Sequence, residues 1–151
     1  MIGNDIVDLK QASIDSNWMR NGFLNKLFTA KEQQYILLAA KPEEMVWLLW
    51  SMKEAAYKIY NGVTAIRTFA PIKLCCNIVN LAATSCEGSV SIDGHLYHTT
   101  SIIVPGDYIH TVAASIAAGL PLVRSTLLPV AYGQDYKAME PACVSHHGRY
   151  L

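Results

Sequence analysis

No apolar run reaches the roughly 18 residues that a bilayer crossing requires, although 52% of the residues are hydrophobic. A transmembrane helix is therefore not expected, and neither is a membrane partner. The start carries Asn4, Asp5 and Asp8, not a basic stretch followed by an apolar one. No secretory signal is read there, and a cytoplasmic location is expected. Cysteine is sparse: Cys75, Cys76, Cys86 and Cys143. None falls in a CxxC knuckle, so reduced thiols are expected. Net charge is also missing, since twelve basic residues cancel twelve acidic ones. That argues against a broad positive field and against a nucleic-acid partner. Phosphate loops of the GxxxxGK[ST] and GxGxxG types and a GxSxG elbow are all absent. The histidines His95, His98, His110, His146 and His147 show no spacing that demands zinc.

What is present suits one domain. The 151 residues are enough to bury a core. We expect a single domain over 1–130 and a C-terminal tail over 131–151, loosely held from residue 133 on. Ile2 to Leu9 reads as a short strand. Residues 13–27 carry apolar side chains at helical spacing, broken at Asn21-Gly22, which predicts one interrupted helix or two short ones. Thr29-Ala30-Lys31-Glu32 has the form of a capping box, with its helix running to about Ala40. Pro42 opens a longer helix to Tyr60, with Gly62 as its stop.

Beyond it the pattern turns to strands: Phe69 to Leu74, Cys76 to Leu81, Ser89 to Ile92, Leu96 to Val104 and Tyr108 to Ala117. Asp93-Gly94 signals a hairpin and Pro105-Gly106-Asp107 another turn. Leu120 to Val130 is an edge strand at best, given Pro121 and Pro129. Helices first and sheet second predict an α+β fold, with the N-terminal strand and helices packed on a mainly antiparallel sheet.

Two acids stand out. Glu54 lies on the long helix with Lys58 four residues on, flanked by Trp47, Trp50 and Tyr57. A plain ion pair on one helix face explains that spacing. A metal-binding acid with a phosphate-contacting lysine is the alternative, less favoured by the spacing alone. Asp5 sits between Gly3-Asn4 and the apolar pair Ile6-Val7. It reads either as a strand-start aspartate or as a second ligand, and it is favoured over Asp8, which an extended strand would point to the other face. Gly3 permits close backbone approach. Glu32 already has a capping role, compatible with a second one only if its carboxylate is shared or the capping box is not formed. Lys53, Lys58, Arg67 and Lys73 form a local basic cluster, with Glu54 the only acid between positions 53 and 73. Such a cluster suits a small polyanion.

Three pieces occur in order: "GNDIVDL" at 3–9, "FTAKE" at 28–32 and "WSMKEAAYK" at 50–58. Together they resemble the 4′-phosphopantetheinyl transferase superfamily, in its short, single-domain, holo-acyl-carrier-protein-synthase-like form. The resemblance implies Asp5 and Glu54 as ligands of Mg2+, with Lys58 on the transferred phosphate. It further implies Glu32 as the acid of the middle motif and Lys53 on another phosphate of coenzyme A. The implied reaction moves phosphopantetheine from coenzyme A to a serine of an acyl or peptidyl carrier protein, releasing adenosine 3′,5′-bisphosphate. Glu54 and Lys58 would be the catalytic pair, and short members suggest a homotrimer.

Departures from the family pattern are visible. A Ser-His-(Thr/Ser) stretch common before the last core strand is replaced by Ile103 to Tyr108, with His110-Thr111 later, and an acid found in some members two residues after the motif aspartate is Val7 here. A catalytically weak member that binds coenzyme A or a carrier protein without transfer is the alternative reading.

Overall fold

The computed structural model describes residues 1–130 and 135–151. Among them, five strands form one antiparallel sheet: β1 (Ile2–Asp8), β2 (Cys75–Leu81), β3 (Ser85–Ile92), β4 (His95–Val104) and β5 (Tyr108–Ala114). Their order is β1-β5-β4-β3-β2, so the first strand is an edge that pairs with the last, Ile2 opposite Ala114 and Asp8 opposite Tyr108. Four helices join β1 to β2: α1 (Leu9–Asp15), α2 (Phe23–Leu27), α3 (Ala30–Leu38) and α4 (Pro42–Thr64). The α+β expectation holds.

Helix α4 lies across the sheet and carries much of the core. Val46, Leu49, Met52, Ala55, Ala56 and Ile59 are buried against β1, β5 and their neighbours. Pro42 occupies its first turn, where the missing N–H costs nothing, and Glu43 and Glu44 face the positive end of its dipole. Contact between β1 and α4 is unusually tight at Gly3. A Cβ there would stand 2.2 Å from the Ala55 carbonyl oxygen, so only glycine lets strand and helix meet at this distance. The hairpin between β3 and β4 turns at Asp93 and Gly94, both with positive φ, as the Asp-Gly pair predicts.

Several local expectations need correction. Helix α4 runs past Gly62 to Thr64 and ends on Ala65 in the left-handed region, whose N–H donates to Asn61 O. One glycine weakens a long, well-packed helix without breaking it. Residues 69–74 are not a strand: Pro71, which has no N–H to give a ladder, opens a 3-10 turn over Pro71–Lys73. Strand β5 stops at Ala114, and Leu120 to Val130 forms no edge strand, because a 3-10 turn over Ala117–Leu122 takes up the chain. Pro129 makes only an isolated bridge to Tyr150. The two short helices of 9–27 begin earlier than residue 13. Asp8 Oδ1 caps α1, accepting from Lys10 N (3.0 Å) and Gln11 N (3.2 Å).

The expected loose tail divides. Residues 131–134 lie outside the described residues, whereas Ser145 to Leu151 folds back and is anchored on Asp8, Asp107 and Leu128. All four cysteines are free. No helix among the described residues is long and apolar enough to cross a membrane.

Candidate active site

The tight β1–α4 contact brings Asp5 and Glu54 to one cleft of about 330 Å3, walled by Ile6, Trp47, Trp50 and His147. One turn past Glu54, the Lys58 ammonium donates to the Asn4 carbonyl oxygen at 2.5 Å and stands 3.6 Å from Asp5 Oδ1. Three of the expected site residues are thus assembled from positions far apart in sequence.

Electrostatics there is unfavourable for bare acids. Burial pushes the Asp5 carboxyl up to about 7, against the pull of Lys58 and with the Glu54 charge adding to the rise. Burial also raises Glu54, again opposed by Lys58. Asp5 Oδ2 and Ser51 Oγ are buried without hydrogen-bond partners. An unpaired carboxylate oxygen beside a second carboxylate suits a cation. Among the described residues, no cluster of three His, Cys, Asp or Glu side chains gathers to hold a metal. Two carboxylates suit a hard ion such as Mg2+, which completes its shell with water and substrate phosphates, better than a closed zinc site.

Lys53 and Glu32 lie elsewhere. Lys53 is fully buried, and its ammonium donates to Glu32 Oε2 (2.8 Å), Leu27 O (2.9 Å) and Pro71 O (2.7 Å). Those are all three N–H bonds the group possesses. Glu32 is equally buried. Its Oε2 also accepts from Thr29 N (2.8 Å), completing the capping box, while Oε1 accepts from Cys76 N (2.6 Å). The carboxylate is indeed shared, but with the interior of the protein. This pair ties α3, α4, the Pro71 turn and β2 together. Lys53 therefore has no free donor for the expected coenzyme A contact, and Glu32 is wholly buried with three hydrogen bonds to the protein interior. Lys53 also drops out of the basic cluster, leaving Lys58 half-buried and Arg67 and Lys73 exposed.

The sequence reading passed over Asp8, Asp107 and the last residues. Asp8 is 1% exposed, and its Oδ2 accepts from Arg149 Nε (2.8 Å) and Arg149 N (2.9 Å). The Arg149 guanidinium holds the Asp8 carboxyl well below the usual carboxylate range. Through this anchor His146 and His147 reach the Asp5–Glu54 cleft. Two adjacent histidines in the tail are the only sequence signal, and their spacing does not demand a metal.

The fold is of the α+β class. The chain belongs to the 4′-phosphopantetheinyl transferase superfamily, whose family profile matches residues 1–113, from β1 into the end of β5. A search of curated proteins finds no match.

Proposed function

We propose that the protein transfers the 4′-phosphopantetheine group of coenzyme A to a serine of an acyl or peptidyl carrier protein, with Mg2+ held by Asp5 and Glu54. The observation that carries this reading is the shared cleft. Two acids 49 positions apart line it, Lys58 stands 3.6 Å from Asp5 Oδ1, and Asp5 Oδ2 lacks a partner. Asp5 Oδ2 and the Glu54 carboxylate fit a hard cation, and Mg2+ would polarise the pyrophosphate and offset charge on the leaving phosphate.

The remaining chemistry falls to the chain. Lys58 gives one N–H to Asn4 O, which fixes the ammonium while leaving a donor for a phosphate oxygen. Charge that builds on the leaving group is stabilised there. Glu54 would accept the serine proton through a carboxylate oxygen not taken by the cation. The serine Oγ–P bond forms as the P–O bond to the nucleotide breaks. The electron pair leaves with adenosine 3′,5′-bisphosphate. Trp47 and Trp50 help keep water from the cleft. Lys53 and Glu32 act on this reading only as scaffold.

The test is intact-mass measurement on a panel of carrier proteins incubated with the protein, coenzyme A and Mg2+. One added phosphopantetheine group is expected, reduced at least about a hundredfold in rate by Glu54→Gln. No mass increase on any carrier overturns the reading. The homotrimer is carried as part of the same proposal, and sedimentation should return three times the mass of the chain.

A further inference from the structure

We propose that His147 is a substrate-binding residue of this cleft, donating its Nε2–H to a phosphate oxygen of coenzyme A. The inference rests on the transferase reading and adds to it a residue from outside the 1–113 region that the family profile matches.

Three observations point the same way. The first is tautomer. The Asp8 N–H donates to His147 Nδ1 at 2.9 Å, so that nitrogen carries no proton and the neutral ring holds its proton on Nε2. The second is rigidity. Gly148, with φ +53°, crosses directly over Asp8, and a Cβ there would stand 2.5 Å from Asp8 Oδ2. Arg149 then grips the same carboxylate through its backbone N, Nε and a terminal guanidinium nitrogen, and also reaches Asp107 at 2.8 Å. Tyr150 Oη donates to Asp107 as well, and Leu151 exchanges backbone hydrogen bonds with Leu128. His147 is therefore fixed by the residues that follow it, and its own backbone pairs with Tyr150.

The third is placement. His147 lines the cleft of Asp5 and Glu54, and its Nε2–H meets no acceptor among the described residues. A neutral donor suits this spot. An imidazolium would pair with the two acids and compete with their cation, whereas Nε2–H adds a fixed dipole for a phosphate oxygen. His146 also lines the cleft but is exposed and makes no hydrogen bond among the described residues, so nothing aims it.

Paired amide substitutions separate binding from mere docking. In His147→Asn the amide oxygen takes the place of Nδ1, keeping the Asp8 acceptor and deleting the donor. In His147→Gln the amide nitrogen takes the place of Nε2, keeping the donor and deleting the acceptor. Calorimetric titration with coenzyme A in Mg2+ should show Kd raised about tenfold to a hundredfold for His147→Asn, with melting unchanged. His147→Gln should recover most of the affinity while melting lower. NMR of the unaltered protein gives a check that needs no variant, since the His147 Nε2–H resonance should shift when coenzyme A is added. Wild-type affinity in His147→Asn, or an unmoved resonance in protein that binds coenzyme A, overturns the inference alone. Failure of the unaltered protein to bind coenzyme A overturns the transferase reading and this inference with it.

Discussion

Replacing Asp5 with Asn should stabilise the metal-free protein, and increasingly so as pH rises. Burial lifts the Asp5 carboxyl from 3.8 to about 7. A folded-state value above the unfolded one means the folded protein holds the proton more tightly. The stability this contributes is full below about 4 and lost as pH climbs through 7. At 1.36 kcal/mol for each pH unit, the whole interval from 3.8 to 7 corresponds to roughly 4 kcal/mol, and the part above pH 5 to about 3 kcal/mol. An amide does not ionise, so Asp5→Asn escapes this loss. Urea unfolding in EDTA should show the advantage of the variant over wild type growing by about 3 kcal/mol between pH 5 and pH 8. Any constant effect of the amide on Lys58 cancels in that difference. Adding Mg2+ at pH 8 should then stabilise wild type and leave the variant unmoved, because a ligand of the folded state alone acts by mass action. An advantage that stays flat with pH would refute the argument that Asp5 is an acid strained by burial.

Three further outcomes follow from the geometry. Lys53→Met strands the buried Glu32 carboxylate and should cost about 3–5 kcal/mol in denaturant unfolding, a loss of fold and not of coenzyme A contact. Gly3→Ala forces β1 away from the Ala55 carbonyl, which should cost about 1–3 kcal/mol and weaken coenzyme A binding, read by melting and titration together. Arg149 lowers the Asp8 carboxyl, so its contribution is present above about pH 4 and lost as pH falls below it. Arg149→Gln should flatten that acid limb, so that melting falls less on acidification than in the wild type.

Legibility in the sequence followed range. The capping box at Thr29 and Glu32, the Pro42 start and the Asp93-Gly94 hairpin use residues within a few positions of each other, and each was read directly. Asp5 and Glu54 were legible as acids in apolar settings, and Gly3 as a point of close approach. Their meeting depends on β1 joining the sheet beside β5, a pairing of residues 2 and 114 that no local pattern encodes. Lys53 misled for the same reason. Its partners lie 21, 26 and 18 positions away, and a lysine in a basic run looks like a phosphate contact until all three donors are found inside. The Phe69 to Leu74 strand was inferred from side-chain type alone, and Pro71 decided against it. Asp8 was passed over because its principal partner, Arg149, stands 141 positions on.

A crystal structure of the protein with Mn2+ in place of Mg2+ and with coenzyme A bears most directly on the central claim. An anomalous peak ligated by one oxygen of Asp5, one of Glu54 and the coenzyme A pyrophosphate, with Lys58 on a phosphate oxygen, is the predicted result. A cation bound elsewhere, or a pyrophosphate seated away from both carboxylates, would contradict it.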